Sequence, residues 1–112
     1  MNSISEQPLY EKTAAILLTL GFPAHRMGFT QLCIAIPAFA RNKQQSMAKE
    51  LYPYIAHTAG IIDWRAVERA MRTVIVYAWA RKNPEVWAVY FPSCKHAPSN
   101  KQFIATLAEH IR

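Results

Sequence analysis

The stretch "DWRAVERAMRTVIVYAWARKN", residues 63–83, constrains the fold more than any other part of the chain. Its first half carries Arg65, Glu68, Arg69 and Arg72, while Val74 to Trp79 is almost wholly apolar. Asp63 belongs to the residue types that cap helix starts, so it predicts a helix beginning just after it. At 100° per residue, Val67, Met71, Val74 and Ala78 fall within about 40° of one direction, with Ala70, Ile75 and Tyr77 at the margins of that face. Glu68, Arg72, Arg65 and Arg69 lie about 100° to 200° away, so the charges form a stripe opposite the core. Val76 and Trp79 continue that stripe as apolar residues. The expected element is the central core helix of its domain. Its N-terminal two turns are exposed, and its later turns are covered on both sides by other helices.

Helical signals also dominate the remaining sequence. A first helix is expected over about 6–20, with Pro8 in its opening turn and an apolar stripe of Leu9, Thr13 or Ala14, Ile16, Leu17 and Leu20. Gly21 and Pro23 stop it. A second is expected over about 30–40, kinked or shortened by Pro37. After the polar "RNKQQS", Ser46 caps a short helix through Leu51, and Pro53 opens a new one over about 53–59, which Gly60 ends. Asn83, Pro84 and Glu85 supply the cap, first-turn proline and first-turn acid of a helix over 84–90. "FPSCKHAPSN" reads as a loop. Ser99 or Asn100 then caps a closing helix with Phe103, Ile104, Leu107 and Ile111 on its apolar side. The expectation is an all-α fold, one compact domain of five to seven helices over 1–112, containing a helix-turn-helix.

Charge and composition narrow the function. A net charge of +6 favours anionic partners, although solubility alone can account for it. With 52% apolar and 18% charged residues, the chain is globular rather than disordered. The opening "MNSISEQPLYEK" lacks the basic start and apolar run of a signal peptide, and no stretch is apolar for long enough to span a bilayer. A cytoplasmic protein with reduced thiols is expected, and no membrane partner. Cys33, in an apolar stretch, reads as a small core residue.

A helix exposed at its N-terminal turns and buried further along has the geometry of a helix-turn-helix reader. "YPYIAHTAG" supplies the preceding helix and "GII" the turn, although the link from Ala56 to Val67 is longer than in most such motifs. Arginine can donate two bonds to guanine O6 and N7, glutamate can accept from cytosine N4, and a helix N-terminus favours phosphate. The same spacing equally allows Glu68 and Arg72 to form an i,i+4 ion pair on a solvated face.

"VERAMRTVIVYAWARKN" resembles the DNA-binding effector domain of the master sporulation response regulator family of endospore-forming bacteria, stage-zero A. Val67, Glu68, Arg69, Ala70, Arg72, Ala78, Trp79, Arg81 and Asn83 carry that likeness. "LGFPAHRMGF" (20–29), "LYPYIA" (51–56) and "APSNKQFIATLAEHIR" (97–112) are similar to three further family segments in the same order. The resemblance spans about residues 10 to 112. It implies an all-helical domain of about six helices that binds a short DNA box with a GTCGA-like core. Glu68 and Arg69 would read bases, with Arg72 nearby on bases or phosphate. The sequence departs from the family in four ways. Ala66 stands where an arginine is common and Arg65 one place earlier, one residue is inserted around 59–62, and neither the basic C-terminal tail after Arg112 nor a preceding receiver domain is expected. These changes bear on target sequence, affinity and control more than on fold. The resemblance implies a bacterial, nucleoid-associated protein. Either an excised effector domain or a natural stand-alone relative is expected, and the unrelated opening residues favour the second, outside the usual phosphorylation-driven dimerisation.

The sequence therefore predicts a sequence-specific DNA-binding transcription regulator. Its base-reading residues are Glu68, Arg69, Arg65 and Arg72, and its backbone contacts are Lys95, Lys101, Arg81 and Lys82. Solvated charge is the equal alternative for those four last residues. The expected partners are double-stranded DNA and, on tandem or repeated sites, a second copy of the chain. The alternative is a protein-interaction module of the same fold that modulates another regulator, favoured by Ala66 and the missing tail. Neither an enzyme nor a cofactor is expected. His25, His57, His96 and His110 match no metal-ligand spacing with the cysteines, and Cys94 beside His96 lacks an orienting group. Trp64 either stacks on DNA or folds back on the inserted turn, and the second is the expectation.

Overall fold

The computed structural model describes residues 3–111. Among the described residues six α-helices run in the order α1 (Ser3–Thr19), α2 (Met27–Arg41), α3 (Tyr52–Ala59), α4 (Trp64–Ala80), α5 (Pro84–Tyr90) and α6 (Asn100–His110), with one π-helical turn at Met47–Leu51. The all-α expectation holds. Among the described residues there is no strand.

The central helix is α2 rather than α4. Its 15 residues are mostly buried, from Gly28 and Phe29 through Pro37 to Phe39, and it packs against α1, α4 and α6. In α4, by contrast, only Val67, Met71, Val74, Ile75 and Ala78 of 17 residues are buried. The difference comes from composition. "LCIAIPAFA" has no charged position, so every face of α2 can meet a neighbour, whereas α4 keeps a polar stripe. Pro37 lies inside α2 without ending it.

Caps account for most boundaries. Gly21, at φ +88°, takes the left-handed turn after α1, and the amide of Phe22 donates back to the Leu17 carbonyl at 3.0 Å. Asn83 and Ser99 each accept a first-turn amide as N-caps of α5 and α6. Ser46 caps the π-helical turn through the Lys49 amide, and the Glu50 carboxylate accepts from the Ser46 amide at 2.6 Å. That turn replaces the separate short helix expected over 46–51 and runs into α3 without a break. Pro53 has no amide to give to the carbonyl four residues back, so the bonding register has a reason to widen just before it.

The core is an aromatic cluster surrounded by aliphatic side chains. Trp87 is 2% exposed, and its indole Nε1 donates to the Leu20 carbonyl at 3.0 Å. Around it lie Phe22, Trp79, Phe91 and Phe103, with ring centroids 5.3 to 6.1 Å from its own. The tryptophan of α5 thus ties together the end of α1, the end of α4 and the start of α6. Cys33 is a buried core residue as expected, and burial pushes its thiol up to about 12.

No helix among the described residues is long and apolar enough to cross a membrane. Trp87→Phe keeps the aromatic packing but removes the donor to Leu20. It is expected to cost roughly 1–3 kcal/mol, seen as a lower urea midpoint at unchanged slope.

Candidate nucleic-acid interface

Helices α3 and α4 are joined by four residues, 60–63, within the usual length of a helix-turn-helix link. The long separation from Ala56 to Val67 therefore consists largely of the end of one helix and the start of the next. Gly60 closes α3 at φ +72°, a conformation that glycine adopts without strain, and the Ile61 amide donates to the Ala56 carbonyl at 2.8 Å. Asp63 opens α4 by accepting from the Arg65 amide at 3.0 Å. The same oxygen takes the Arg65 Nε at 3.1 Å. These two bonds to Arg65 hold the Asp63 carboxyl below its ordinary range.

The first turns of α4 present what the helical phase predicts. Arg65, Glu68 and Arg69 are exposed, while Val67 and Met71 are fully buried beneath them. Trp64 turns inward and stacks on Tyr52 of α3 at 5.8 Å and 13°. This stack fixes α4 against its partner helix at the turn.

Two further contacts hold the same stretch from outside. Arg72 is half-buried, and its Nη1 donates to the Pro98 carbonyl at 2.6 Å rather than to Glu68. Asn100, buried in the first turn of α6, donates from Nδ2 to the Glu68 carbonyl at 3.0 Å. On the inner side α2 comes unusually close. A Cβ at Gly28 would lie 2.4 Å from the Ala70 carbonyl oxygen. Only glycine admits that approach of one backbone to another.

These helices enclose an open cleft of about 480 Å³, lined by Met47, Tyr52, Glu68, Arg69, Arg72, Asn100 and Lys101 among others. The structure thus brings together Glu68, Arg69, Arg72 and Lys101. Arg65 stands one turn earlier on Asp63, and Lys95 is exposed in the loop before α6. Arg81 and Lys82 lie at the other end of α4, roughly 18 Å along the axis from Arg69. Each holds its cation 3.9 Å from a ring centroid, Arg81 over Tyr77 and Lys82 over Trp79.

One expectation about α4 is corrected. Its later turns are not covered on both sides, since Val76 is 43% and Tyr77 38% exposed. Helices α2, α3 and α6 pack on α4 and Trp87 of α5 meets Trp79, and Val76 and Tyr77 stay exposed between these contacts. The roles of Asn100 and Tyr52 do not follow from spacing alone. Spacing offers Ser99 or Asn100 as the cap of α6; Ser99 takes that role, and only the meeting of α6 with α4 shows what the Asn100 amide holds.

The family model described as "Sporulation initiation factor Spo0A C terminal" matches residues 13–111. The chain belongs to this family. Spo0A C-terminal domains are DNA-binding effector domains of transcription regulation in sporulation, not an enzyme class. The match takes in all of the charged helix, the turn before it and the α6 start that clamps it.

Two outcomes follow from this geometry. Gly28→Ala should destabilise the fold by roughly 1–3 kcal/mol, measured by urea unfolding, because the added methyl meets backbone and α2 must move from α4. Asp63 tests the cap by pH. Its folded value lies below the ordinary 3.8, so its contribution is present above that value and disappears as pH falls through the folded one. The melting-temperature gap between the native chain and Asp63→Asn should therefore be widest above about pH 5 and close in stronger acid. The carboxyl is exposed, so the gap should also shrink with salt.

Proposed function

We propose that this chain is a sequence-specific DNA-binding transcription regulator that lays the first turns of α4 in the major groove. The observation that carries this reading is the division of those turns. Arg65, Glu68 and Arg69 face outward while Val67 and Met71 anchor the same residues to the core. A charged edge on a rigid support loses little freedom when it meets a base pair, so its hydrogen bonds favour one sequence over another.

In this reading Arg69 donates its two parallel bonds to guanine O6 and N7, and Glu68 accepts from a cytosine N4. Arg65 reaches the base edges at the entry to α4. Arg72 keeps one nitrogen on Pro98 and offers its remaining donors to a base or a phosphate. Lys101 and Lys95 meet phosphates on one side, and Arg81 and Lys82 meet the backbone past the far end of α4. The N-terminus of α4 and the net charge of +6 favour the same polyanion. The partner is double-stranded DNA, with a second copy of the chain on tandem or repeated sites.

Gel-shift titrations on DNA carrying the family's box test the proposal. Arg69→Ala should weaken specific binding roughly 5- to 150-fold and relax the preference at one base pair. Lys101→Ala should weaken all sequences alike and flatten the salt slope by about one. Equal affinity for the box and a scrambled duplex, unchanged by Arg69→Ala, would overturn the reading.

A further inference from the structure

Beyond its charged turns, α4 carries a surface that the arginines and the glutamate do not explain. Thr73, Val76 and Tyr77 line an open groove of about 520 Å³ with Arg69 and Arg72. At 100° per residue Val76 falls at about 180° and Arg69 at about 200° from Val67, so both lie on one line along the helix. The groove is therefore a continuation of the outward stripe.

Its chemistry is mixed in an informative way. The Thr73 hydroxyl donates to the Arg69 carbonyl at 2.9 Å, which commits its polar group to the helix and leaves the methyl group free for contact. Val76 adds two more methyl groups, 43% exposed on the same face. The Tyr77 ring forms the far side, held by the Arg81 guanidinium. Two arginines and no carboxylate belong to the lining. An occupant must offer a small apolar group at the centre and negative charge around it.

Thymine in duplex DNA has both. Its C5-methyl projects into the major groove beside the O4 acceptor, with phosphates on either side. An acidic protein segment would satisfy the charge. The groove, however, runs unbroken from the turn that carries Arg69, so its occupant lies alongside whatever Arg69 reads. From Arg69 to Val76 is seven residues, roughly 10 Å of helix, or about three base-pair steps.

We infer that Thr73 and Val76 are specificity residues that receive thymine methyl groups within about three base pairs of the pair read by Arg69. This rests on the proposal that α4 lies in the major groove. The chemistry separates the two claims, because deoxyuridine pairs like thymidine and lacks only the methyl group.

The test begins with DNA selection on the full chain, followed by titration of duplexes in which each thymine is replaced singly by deoxyuridine. One or two replacements beside the arginine-read guanine should weaken binding roughly three- to tenfold, and replacements elsewhere should not. Thr73→Ser keeps the hydroxyl bond and removes the methyl. Combined with Val76→Ala, it should bring the thymine-to-uracil ratio at those positions to one. Specific binding with no uracil sensitivity, or uracil sensitivity that the double variant retains, overturns the assignment to Thr73 and Val76 and leaves major-groove reading standing. Absence of any selected sequence overturns both.

Discussion

The backbones of α2 and α4 meet at Gly28 and Ala70, and the placement of the charged helix depends on that contact. With no side chain at Gly28, the carbonyl of Ala70 can lie where a Cβ would otherwise be. The meeting point falls one residue from Arg69 and two from Glu68 and Arg72. Once α4 is seated there, the rest of its phase is determined. Val67, Met71 and Val74 turn into the core, and the charged residues have only the outer face to occupy. The apolar length of α2 makes this possible, since a helix buried on nearly every side gives α4 a rigid surface to rest on.

The opposite side of the same two turns is held by the start of α6. Asn100 bonds the Glu68 carbonyl, and Arg72 bonds the Pro98 carbonyl just before α6. A main-chain carbonyl has two lone pairs, so Glu68 can receive the asparagine amide without giving up its place in the helix. The Asn100 Oδ1 is buried and, among the described residues, has no hydrogen-bond partner. A buried acceptor left unpaired costs about 1–3 kcal/mol, and Asn100 lines the cleft that Glu68, Arg69 and Lys101 share. The amide is thus a fixed polar group in the wall of the cleft, oriented by the bond that Nδ2 makes. Loop 91–99 is consequently more than a connection. It carries Pro98, and through that carbonyl it sets the direction of an arginine.

Much of this was legible in the sequence, because helix boundaries here are chemical. Gly21, Gly60, Asp63, Asn83 and Ser99 each act locally, and the helices they bound fall where those residues indicate. The exposed Arg65, Glu68 and Arg69 followed from helical phase, which needs no knowledge of neighbours. What was not legible depends on neighbours. Phase places Val76 and Trp79 on the outer stripe, and an apolar residue there suggests a covering helix. In the structure Trp79 finds cover edge-on against Trp87, while Val76 does not. Arg72 reads as a surface charge because no local pattern reveals a carbonyl 26 residues away. The π-helical turn is likewise a compromise between the Ser46 cap and Pro53 that spacing alone does not resolve.

The uncovered face of α4 has a length, and that length is a physical statement about what the domain can meet. The contacts from α2, α3, α5 and α6 fall to either side of the line from Arg65 through Arg69 to Val76, whose residues stay exposed. Eleven residues of helix rise roughly 16 Å, close to five base-pair steps of DNA. Along that line the chemistry changes from guanidinium and carboxylate at the start to methyl groups at the end. Hydrogen-bond donors and acceptors distinguish all four base pairs in the major groove, while a methyl contact distinguishes only thymine. A helix built in this order would discriminate most strongly at the end nearest Asp63 and more permissively toward Val76. The amphipathic switch within α4 would then be a gradient of recognition, maintained by the same packing that buries its inner face.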